Sequence, residues 1–131
     1  MGDPGLSKRI AGSETRMVKA VIPNTTNHYD TLFGGTLLSW MDEVAFITAT
    51  RFSRLAVVTV SIDRTDFTRP IPAGTIVELV GRVESVGRTS LKVCVEVFAE
   101  KMYEGDIEKA VTGVFTMVAI DADKHPVELT R

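Results

Sequence analysis

The sequence predicts an α+β protein in which one long helix packs against an antiparallel sheet of about five strands. Residues 34–52 are nearly all apolar and form the one good helix candidate. After them β-branched residues dominate, which favours strands. Within residues 89–101 apolar and charged side chains alternate, so this strand has one dry face and one wetter face. The dry face carries Leu91, Val93, Val95 and Val97. The long helix is the element that can cover it.

Turn signals set the limits of the other elements. The predicted strands span residues 15–23, 54–67, 75–86, 89–101 and 109–121. Two prolines make residues 68–74 an irregular connection, because proline cannot donate a hydrogen bond to a sheet. Gly87 and Arg88 form a tight hairpin turn, and residues 103–106 form another turn.

The composition is that of an ordinary globular protein. The chain has 131 residues, of which 44% are hydrophobic, and a formal net charge of −2. These values argue against disorder, and the scattered basic residues argue against a nucleic-acid partner. No apolar stretch is long enough to cross a bilayer, which argues against a membrane partner. We expect residues 1–14 to be a flexible leader and residues 15–131 to form a single domain.

Cysteine usage and the first residues bear on the cellular compartment. Cys94 is the only cysteine, so no internal disulfide can form, and the spacings of zinc sites are absent. We expect Cys94 to be a small buried residue in a strand. The first residues lack the apolar segment of a secretory signal. A reducing cytoplasm is therefore the predicted location.

Asp42 stands out in the predicted helix. At about 100° per residue it shares a face with Leu38 and Phe46, whereas the neighbouring Glu43 falls on the polar edge. A carboxylate among apolar residues is costly unless it is paired, hydrogen-bonded or protonated. One interpretation is a structural carboxylate satisfied by an arginine or by backbone donors. The other is a carboxylate facing a pocket, where it acts as general base or nucleophile.

The start of this helix favours the second interpretation. Gly34 and Gly35 leave the backbone N–H groups unshielded at the end of the helix that has unpaired donors and a partial positive charge. Such donors can polarise a substrate carbonyl and stabilise a developing oxyanion. The alternative is that the glycine pair only lets the chain turn tightly into the helix.

Three stretches in this order resemble a known family: "PNTTNHYDTLFGGTLLSWMDE", "DFTRPIPAG" and "SVGRTSLKVCVEVF". They are similar to hotdog-fold acyl-CoA thioesterases of the bacterial YciA-like and mammalian cytosolic acyl-CoA hydrolase type. The resemblance covers residues 16–121. It implies a hotdog fold, in which the sheet wraps around the helix. It also implies dimers that join their sheets edge to edge, with active sites at the interface, and further assembly into a trimer of dimers.

The resemblance also implies roles for individual residues. Asp42 is the catalytic carboxylate, which activates water or attacks the thioester carbonyl directly. The N–H of Gly34, with Gly35 as a second candidate, polarises that carbonyl. Asn27 matches an active-site asparagine that orients water or substrate from the other subunit. Coenzyme A enters as part of the substrate, and the resemblance implies neither a metal nor a separate cofactor.

A second set of residues is expected to contact the phosphates or adenine of coenzyme A. The family often binds coenzyme A near the hairpin turn, and arginine suits phosphate geometry. The candidates are Arg88, Thr89 and Ser90, with Arg64 and Arg69 as weaker ones. The alternative for each is an exposed polar residue.

The chain departs from the family pattern in one loop. Relatives often read "NGDIFGG", where this sequence reads "YDTLFGG". We expect residues 28–31 to shape the acyl pocket differently. His28 is interpreted as a loop residue beside Asn27, and not as a catalytic base.

These observations predict an acyl-CoA thioesterase that releases a free carboxylic acid and coenzyme A, with a role in fatty acid metabolism. A non-catalytic acyl-CoA or lipid-sensing module on the same fold is the first alternative. Such a module would be expected to lack the pocket acid. A hotdog dehydratase is a second alternative, but it typically needs a histidine in the pocket, and the helix contains none.

Overall fold

The computed structural model describes residues 4–129. Within this range the chain forms two α-helices, α1 (Pro4–Ser13) and α2 (Gly34–Ser53), and a short 3₁₀-helix, Pro23–Thr25. It also forms five strands: β1 (Thr15–Ala20), β2 (Ala56–Phe67), β3 (Thr75–Val86), β4 (Ser90–Lys101) and β5 (Ile107–Ile120). The predicted α+β class is confirmed.

The strands form one antiparallel sheet in the order β1-β3-β4-β5-β2. Helix α2 has 20 residues, a length of about 30 Å. It packs against the dry face that sequence analysis expected, where Leu91, Val93, Val95 and Val97 are all buried. The helix contributes to the same core with Leu37, Met41, Val44, Ala45, Ala49 and Phe52.

Two strand glycines let α2 lie close to the sheet. A Cβ atom built on Gly81 of β3 would lie 2.6 Å from Thr48 Oγ1 and 2.6 Å from Val44 Cγ1. A Cβ atom on Gly113 of β5 would lie 2.9 Å from the terminal methyl of Met41. Gly81 and Gly113 therefore occupy positions where a side chain would collide with the helix.

Helix α1 differs from the prediction of a flexible leader. Over Pro4–Ser13 the chain is helical, and Leu6 and Ile10 pack against the core. Arg9 Nη2 donates to the carbonyl oxygen of Phe52 at 3.0 Å, and its guanidinium lies 4.2 Å from the Phe52 ring centroid. These contacts join α1 to the end of α2. The first three residues of the expected leader lie outside the described residues.

The element boundaries differ from the predicted ones by a few residues. β2 begins at Ala56 instead of residue 54, because Arg54 has φ 57° and its N–H ends α2 by donating to the Thr50 carbonyl at 2.7 Å. β1 ends at Ala20, before the 3₁₀-helix that begins at Pro23. Residues 87–89 link β3 and β4, one residue more than the predicted turn.

Strand β2 is an edge of the sheet and is exposed. Its only strand neighbour among residues 4–129 is β5, and the pairing shifts register between Thr59 and Ser61 and again between Ile62 and Arg64. Val60 is 55% exposed and Ile62 is 44% exposed. A long edge strand with exposed apolar residues is a template for pairing with another strand.

Candidate functional site

The carboxylate of Asp42 is held by a hydroxyl group. Asp42 lies half-buried on α2, and Thr59 Oγ1 of β2 donates to its Oδ1 at 2.6 Å. Within the described part of the chain no arginine or lysine pairs with Asp42, and its Oδ2 accepts no hydrogen bond. Asp42 therefore has one anchored oxygen and one oxygen free to act on a substrate or a water molecule.

Thr59 is a candidate site residue that the sequence analysis missed. It faces α2 because it pairs across the sheet with the buried Met117, and its Oγ1 lies 3.2 Å from Met117 Sδ. A threonine in a strand rich in valine is unremarkable by itself. Only the packing of β2 beside α2 brings Thr59 to Asp42, 17 residues earlier in the chain.

Asn27 lies in the loop before α2, and its side-chain oxygen is fully engaged. Asn27 Oδ1 accepts hydrogen bonds from Tyr29 N at 2.9 Å, Thr31 N at 3.2 Å and Thr31 Oγ1 at 3.0 Å. No residue between 4 and 129 accepts a hydrogen bond from Asn27 Nδ2. The amide nitrogen is therefore available as a donor.

Gly34 and Gly35 form the first turn of α2, as the sequence predicts. Both are exposed, and a Cβ atom on either would meet nothing within 4 Å. The first helical residue whose N–H is bonded is Leu37, which donates to the Phe33 carbonyl at 3.0 Å. The N–H groups of Gly34 and Gly35 are thus available, in the described chain, to a ligand carbonyl.

A cavity of about 150 Å³ lies beside Gly34. Its wall is formed by the loop before α2, the end of β2 and the proline-containing connection, with Leu37 and Val111 among the buried lining residues. Leu32, Phe67 and Ile71 add further apolar surface, and Arg69 is the charged residue of the lining. This cavity suits an apolar group whose polar end lies near the helix start.

One chain does not bring Gly34 and Asp42 to the same reacting atom. Eight residues of helix separate them, which corresponds to about 12 Å along the axis. A reacting carbonyl must lie within about 3.5 Å of its attacking group. The chain therefore presents two separate parts of a candidate site. One is Asp42 with Thr59, and the other is Gly34 with the cavity, to which Asn27 is joined through Thr31.

The candidates for coenzyme A contact lie at the surface, and each arginine is paired with an acid. Arg88 pairs with Glu128 at 3.3 Å, Arg69 with Glu108 at 2.6 Å, and Arg64 with Asp66 at 2.9 Å. Arg64 lies on the face of the sheet away from α2, because it pairs with Val114 next to the buried Phe115.

The structure does not gather these five candidates in one place. Arg69 lines the cavity beside Gly34. Arg88 and Thr89 lie in the turn before β4, and Ser90 begins that strand. Leu91, in β4 just after this turn, and Thr59 both pair with Met117 from opposite sides, so Leu91 is about two strand spacings, or roughly 10 Å, from Thr59.

Other titratable residues are remote from the Asp42 carboxylate or exposed. His28 is exposed and stacks on Tyr29, with ring centroids 3.9 Å apart. Cys94 is half-buried, not fully buried as expected, and burial raises the pKa of its thiol. Hydrogen bonds from Ser61, Thr116 and Lys92 lower the pKa of Asp63 from 3.8 to about 2.

One group of side chains has the donor set of a metal site. Asp121, Asp123 and His125 follow β5, are all exposed, and have ligand atoms within 4.8 Å of one another. Asp121 Oδ1 accepts the backbone N–H groups of Asp123 and His125, each at 2.9 Å. These hydrogen bonds form an ordinary turn, which explains the arrangement.

Among the residues described, no helix is both long and apolar enough to span a membrane.

The fold and site geometry agree with the result of comparing the chain with known families. Residues 29–105 match the model of the thioesterase superfamily, which is more than half of the chain. The chain therefore belongs to the thioesterase superfamily. The predicted family resemblance is confirmed. The predicted class of enzyme, a thioester hydrolase, is also confirmed.

Individual relatives give the same result. The chain is 41% identical to the Bacillus subtilis protein YkhA, an uncharacterized acyl-CoA thioester hydrolase, over 90% of this chain and 70% of YkhA. An acyl-CoA hydrolase from Bacillus cereus is 38% identical with a TM-score of 0.90, over 93% of this chain and 74% of that chain. The structure of the Bacillus cereus hydrolase confirms the hotdog fold.

Two further structures carry information on ligands and assembly. An acyl-CoA hydrolase from Staphylococcus aureus, in complex with butyryl coenzyme A, coenzyme A and coenzyme A disulfide, is 34% identical with a TM-score of 0.87. The match covers 92% of this chain and 73% of that chain. Three variants of this hydrolase replace one aspartate, one threonine and one asparagine by alanine. A hexameric thioesterase from Yersinia pestis is 32% identical with a TM-score of 0.83, over 88% of this chain and 93% of that chain.

Proposed function

We propose that the protein hydrolyses acyl-CoA to a free carboxylic acid and coenzyme A, with Asp42 as the general base or nucleophile. The observation that carries this proposal is the state of the Asp42 carboxylate. One oxygen is fixed by the Thr59 hydroxyl, and the other accepts no hydrogen bond in the described chain. A structural carboxylate would be expected to have an arginine or backbone donors as partners. The relatives named as acyl-CoA hydrolases support the substrate class.

The residues replaced in the Staphylococcus aureus hydrolase support the choice of site residues. In that protein the asparagine and the aspartate are 15 residues apart, and the aspartate and the threonine are 17 apart. Asn27, Asp42 and Thr59 have the same two spacings. Thr59 therefore joins Asp42 and Asn27 in the proposed site, as the group that orients the carboxylate.

The chemistry needs only positioned groups of this chain. The thioester carbonyl is already electrophilic and the thiolate leaves readily, so one placed carboxylate with donors to the developing oxyanion is sufficient. The N–H groups of Gly34 and Gly35 are the proposed donors, at the positive end of the α2 dipole. Asp42 Oδ2 then either removes a proton from the attacking water or attacks the carbonyl carbon itself.

A complete site requires a second copy of the chain. The separation of about 12 Å between Gly34 and Asp42 keeps them from acting on one carbonyl within a single chain. Antiparallel pairing of two β2 edges would place the Thr59 end of one strand beside the Phe67 end of its partner. Phe67 lines the cavity at Gly34. The dimer would thus join Asp42 of one protomer to Gly34 and Asn27 of the other, and the hexameric relative supports assembly beyond the dimer.

Arg88, Thr89 and Ser90 are the proposed contacts of the coenzyme A phosphates, with Arg69 and Arg64 as further candidates. Phosphate binding at Arg88 or Arg69 has to compete with the ion pair to Glu128 or Glu108. Both ion pairs are exposed, and exposed ion pairs contribute little free energy, so exchanging the acid partner for a phosphate is not costly.

A cytoplasmic location and a role in fatty acid metabolism are also part of the proposal.

Free-thiol release from a panel of acyl-CoA substrates tests the function. Wild-type protein should release coenzyme A, and Asp42→Asn should lower kcat by at least about a hundredfold, because an amide can neither take the proton nor attack. Glu43→Gln is the matched control, since Glu43 is the exposed neighbour of Asp42. Full turnover by Asp42→Asn would refute the role of Asp42. Acyl-CoA binding by the wild type without thiol release would instead indicate a non-catalytic module.

A further inference from the structure

We infer that Thr31 is a positioning residue that holds the Asn27 amide with its nitrogen directed at the substrate as a hydrogen-bond donor. This inference rests on the proposed function, because it assigns a task to Asn27 in the acyl-CoA site. Thr31 lies in the loop before the two glycines of α2.

Three donors converge on Asn27 Oδ1: the backbone N–H groups of Tyr29 and Thr31 and the hydroxyl of Thr31. A backbone N–H can only donate, so rotating the amide by 180° would set its NH₂ group against two donors. The orientation of the amide is therefore determined. No residue in the range 4–129 accepts a hydrogen bond from Nδ2.

Both backbone groups of Thr31 bind Asn27. The N–H of Thr31 donates to Asn27 Oδ1, and the carbonyl oxygen of Thr31 accepts the N–H of Asn27 at 2.8 Å. The N–H of Asp30 donates to the Asn27 carbonyl at 3.0 Å. Asp30 has φ 60°, the left-handed conformation that closes this short loop. Thr31 also lines the cavity beside Gly34. It thus connects Asn27 to the helix start where the thioester carbonyl is proposed to bind.

The task of Asn27 follows from this orientation. An amide whose oxygen is occupied cannot accept a proton from the attacking water. It can donate from Nδ2 to the thioester carbonyl or to the oxygen of that water. We expect Asn27 to stabilise negative charge on oxygen, together with the backbone N–H groups of Gly34 and Gly35.

Activity measurements on three variants test the inference. Thr31→Val has nearly the same shape and lacks the hydroxyl, so kcat should fall about three- to tenfold with little change in KM. Thr31→Ser keeps the hydroxyl and should stay within about twofold of wild type. Thr26→Val is the control, because the hydroxyl of Thr26 donates to the Pro23 carbonyl and does not contact Asn27.

A double-mutant cycle separates positioning from a general structural role. In the Asn27→Ala background, Thr31→Val should have no further effect on kcat, because there is no amide left to position. An equal loss in both backgrounds, or a Thr31→Ser variant as slow as Thr31→Val, would overturn the inference.

The NMR order parameter of the Asn27 side-chain NH₂ group provides a readout that does not depend on turnover. It should fall in Thr31→Val and stay at the wild-type value in Thr31→Ser. An unchanged order parameter in Thr31→Val would also overturn the inference. If the wild type released no thiol, the proposed function would fail, while this measurement would still decide whether Thr31 positions Asn27.

Discussion

At the scale of single residues, the carboxylate of Asp42 and the hydroxyl of Thr59 form the pair on which the account depends. The hydrogen bond of 2.6 Å between them joins the helix to the edge strand. It fixes one carboxylate oxygen and so directs the other. An acid in this position does chemistry only if its orientation is maintained while the substrate binds.

Replacing Thr59 should therefore slow the reaction without abolishing it. Thr59→Val keeps the shape of the side chain and removes the hydrogen bond to Asp42, so kcat should fall about tenfold or more. Thr59→Ser should retain most of the activity. Thiol-release kinetics on both variants check this prediction, and equal activity of Thr59→Val and wild type would contradict it.

The two site residues on α2 and β2 differ in how far the sequence could predict them. Asp42 could be found from the sequence, because a carboxylate on an apolar helix face breaks the local pattern. Thr59 could not, because a threonine in a strand fits its surroundings and its partner is set by the packing of α2 on β2. Asn27 was identified only through the family resemblance, and its fixed amide orientation depends on loop geometry.

At the scale of secondary-structure elements, the sequence predicted those with strong periodicity well. α2 and β3 agree with the predicted ranges within one residue. Helix α1 was missed because its glycines, proline and serines are typical of a loop, and its apolar contacts with the core come from two partly buried residues, Leu6 and Ile10. Its attachment through Arg9 and Arg51 to distant carbonyl groups is tertiary, so no local pattern could indicate it.

Replacing the two strand glycines that face α2, Gly81 and Gly113, by alanine should lower the stability of the protein by different amounts. Gly81→Ala should lower the free energy of unfolding by about 3 kcal/mol, because the added methyl group collides with the helix near Val44 and Thr48. Gly113→Ala should cost only about 1 kcal/mol, since the flexible end of Met41 can move aside. Urea unfolding of both variants measures the difference. A larger loss for Gly113→Ala would contradict this description of the packing.

Asp63 of strand β2 should make the stability of the protein decrease in acid. Hydrogen bonds from Ser61 and Thr116, with Lys92 nearby, lower the pKa of Asp63 from 3.8 to about 2 in the folded state. A lowered pKa means that this stabilisation is present above about pH 4 and is lost as the pH falls towards 2. Asp63→Asn should therefore reduce the loss of Tm between pH 5 and pH 2. Thermal unfolding across this range checks the sign, and an unchanged or steeper loss of Tm would contradict it.

At the scale of the whole molecule, one chain holds two incomplete parts of the proposed site. The distance of about 12 Å along α2 separates the proposed oxyanion donors from the carboxylate. The exposed edge strand β2 connects the two parts and is free to pair with a second copy. The sequence could not reveal this division by itself, because the edge position of β2 depends on the order of all five strands.

Mixing two variants that each have low activity tests most directly whether the site combines two protomers. When Asp42→Asn and Asn27→Ala chains form pairs at random, half of the pairs are mixed, and each mixed pair has one site with both residues intact. Co-expression of the two variants should therefore restore thiol release from acyl-CoA to about a quarter of the wild-type rate. Recovery to no more than the residual activity of the separate variants would show that Asn27 and Asp42 act within one chain, and would contradict the account.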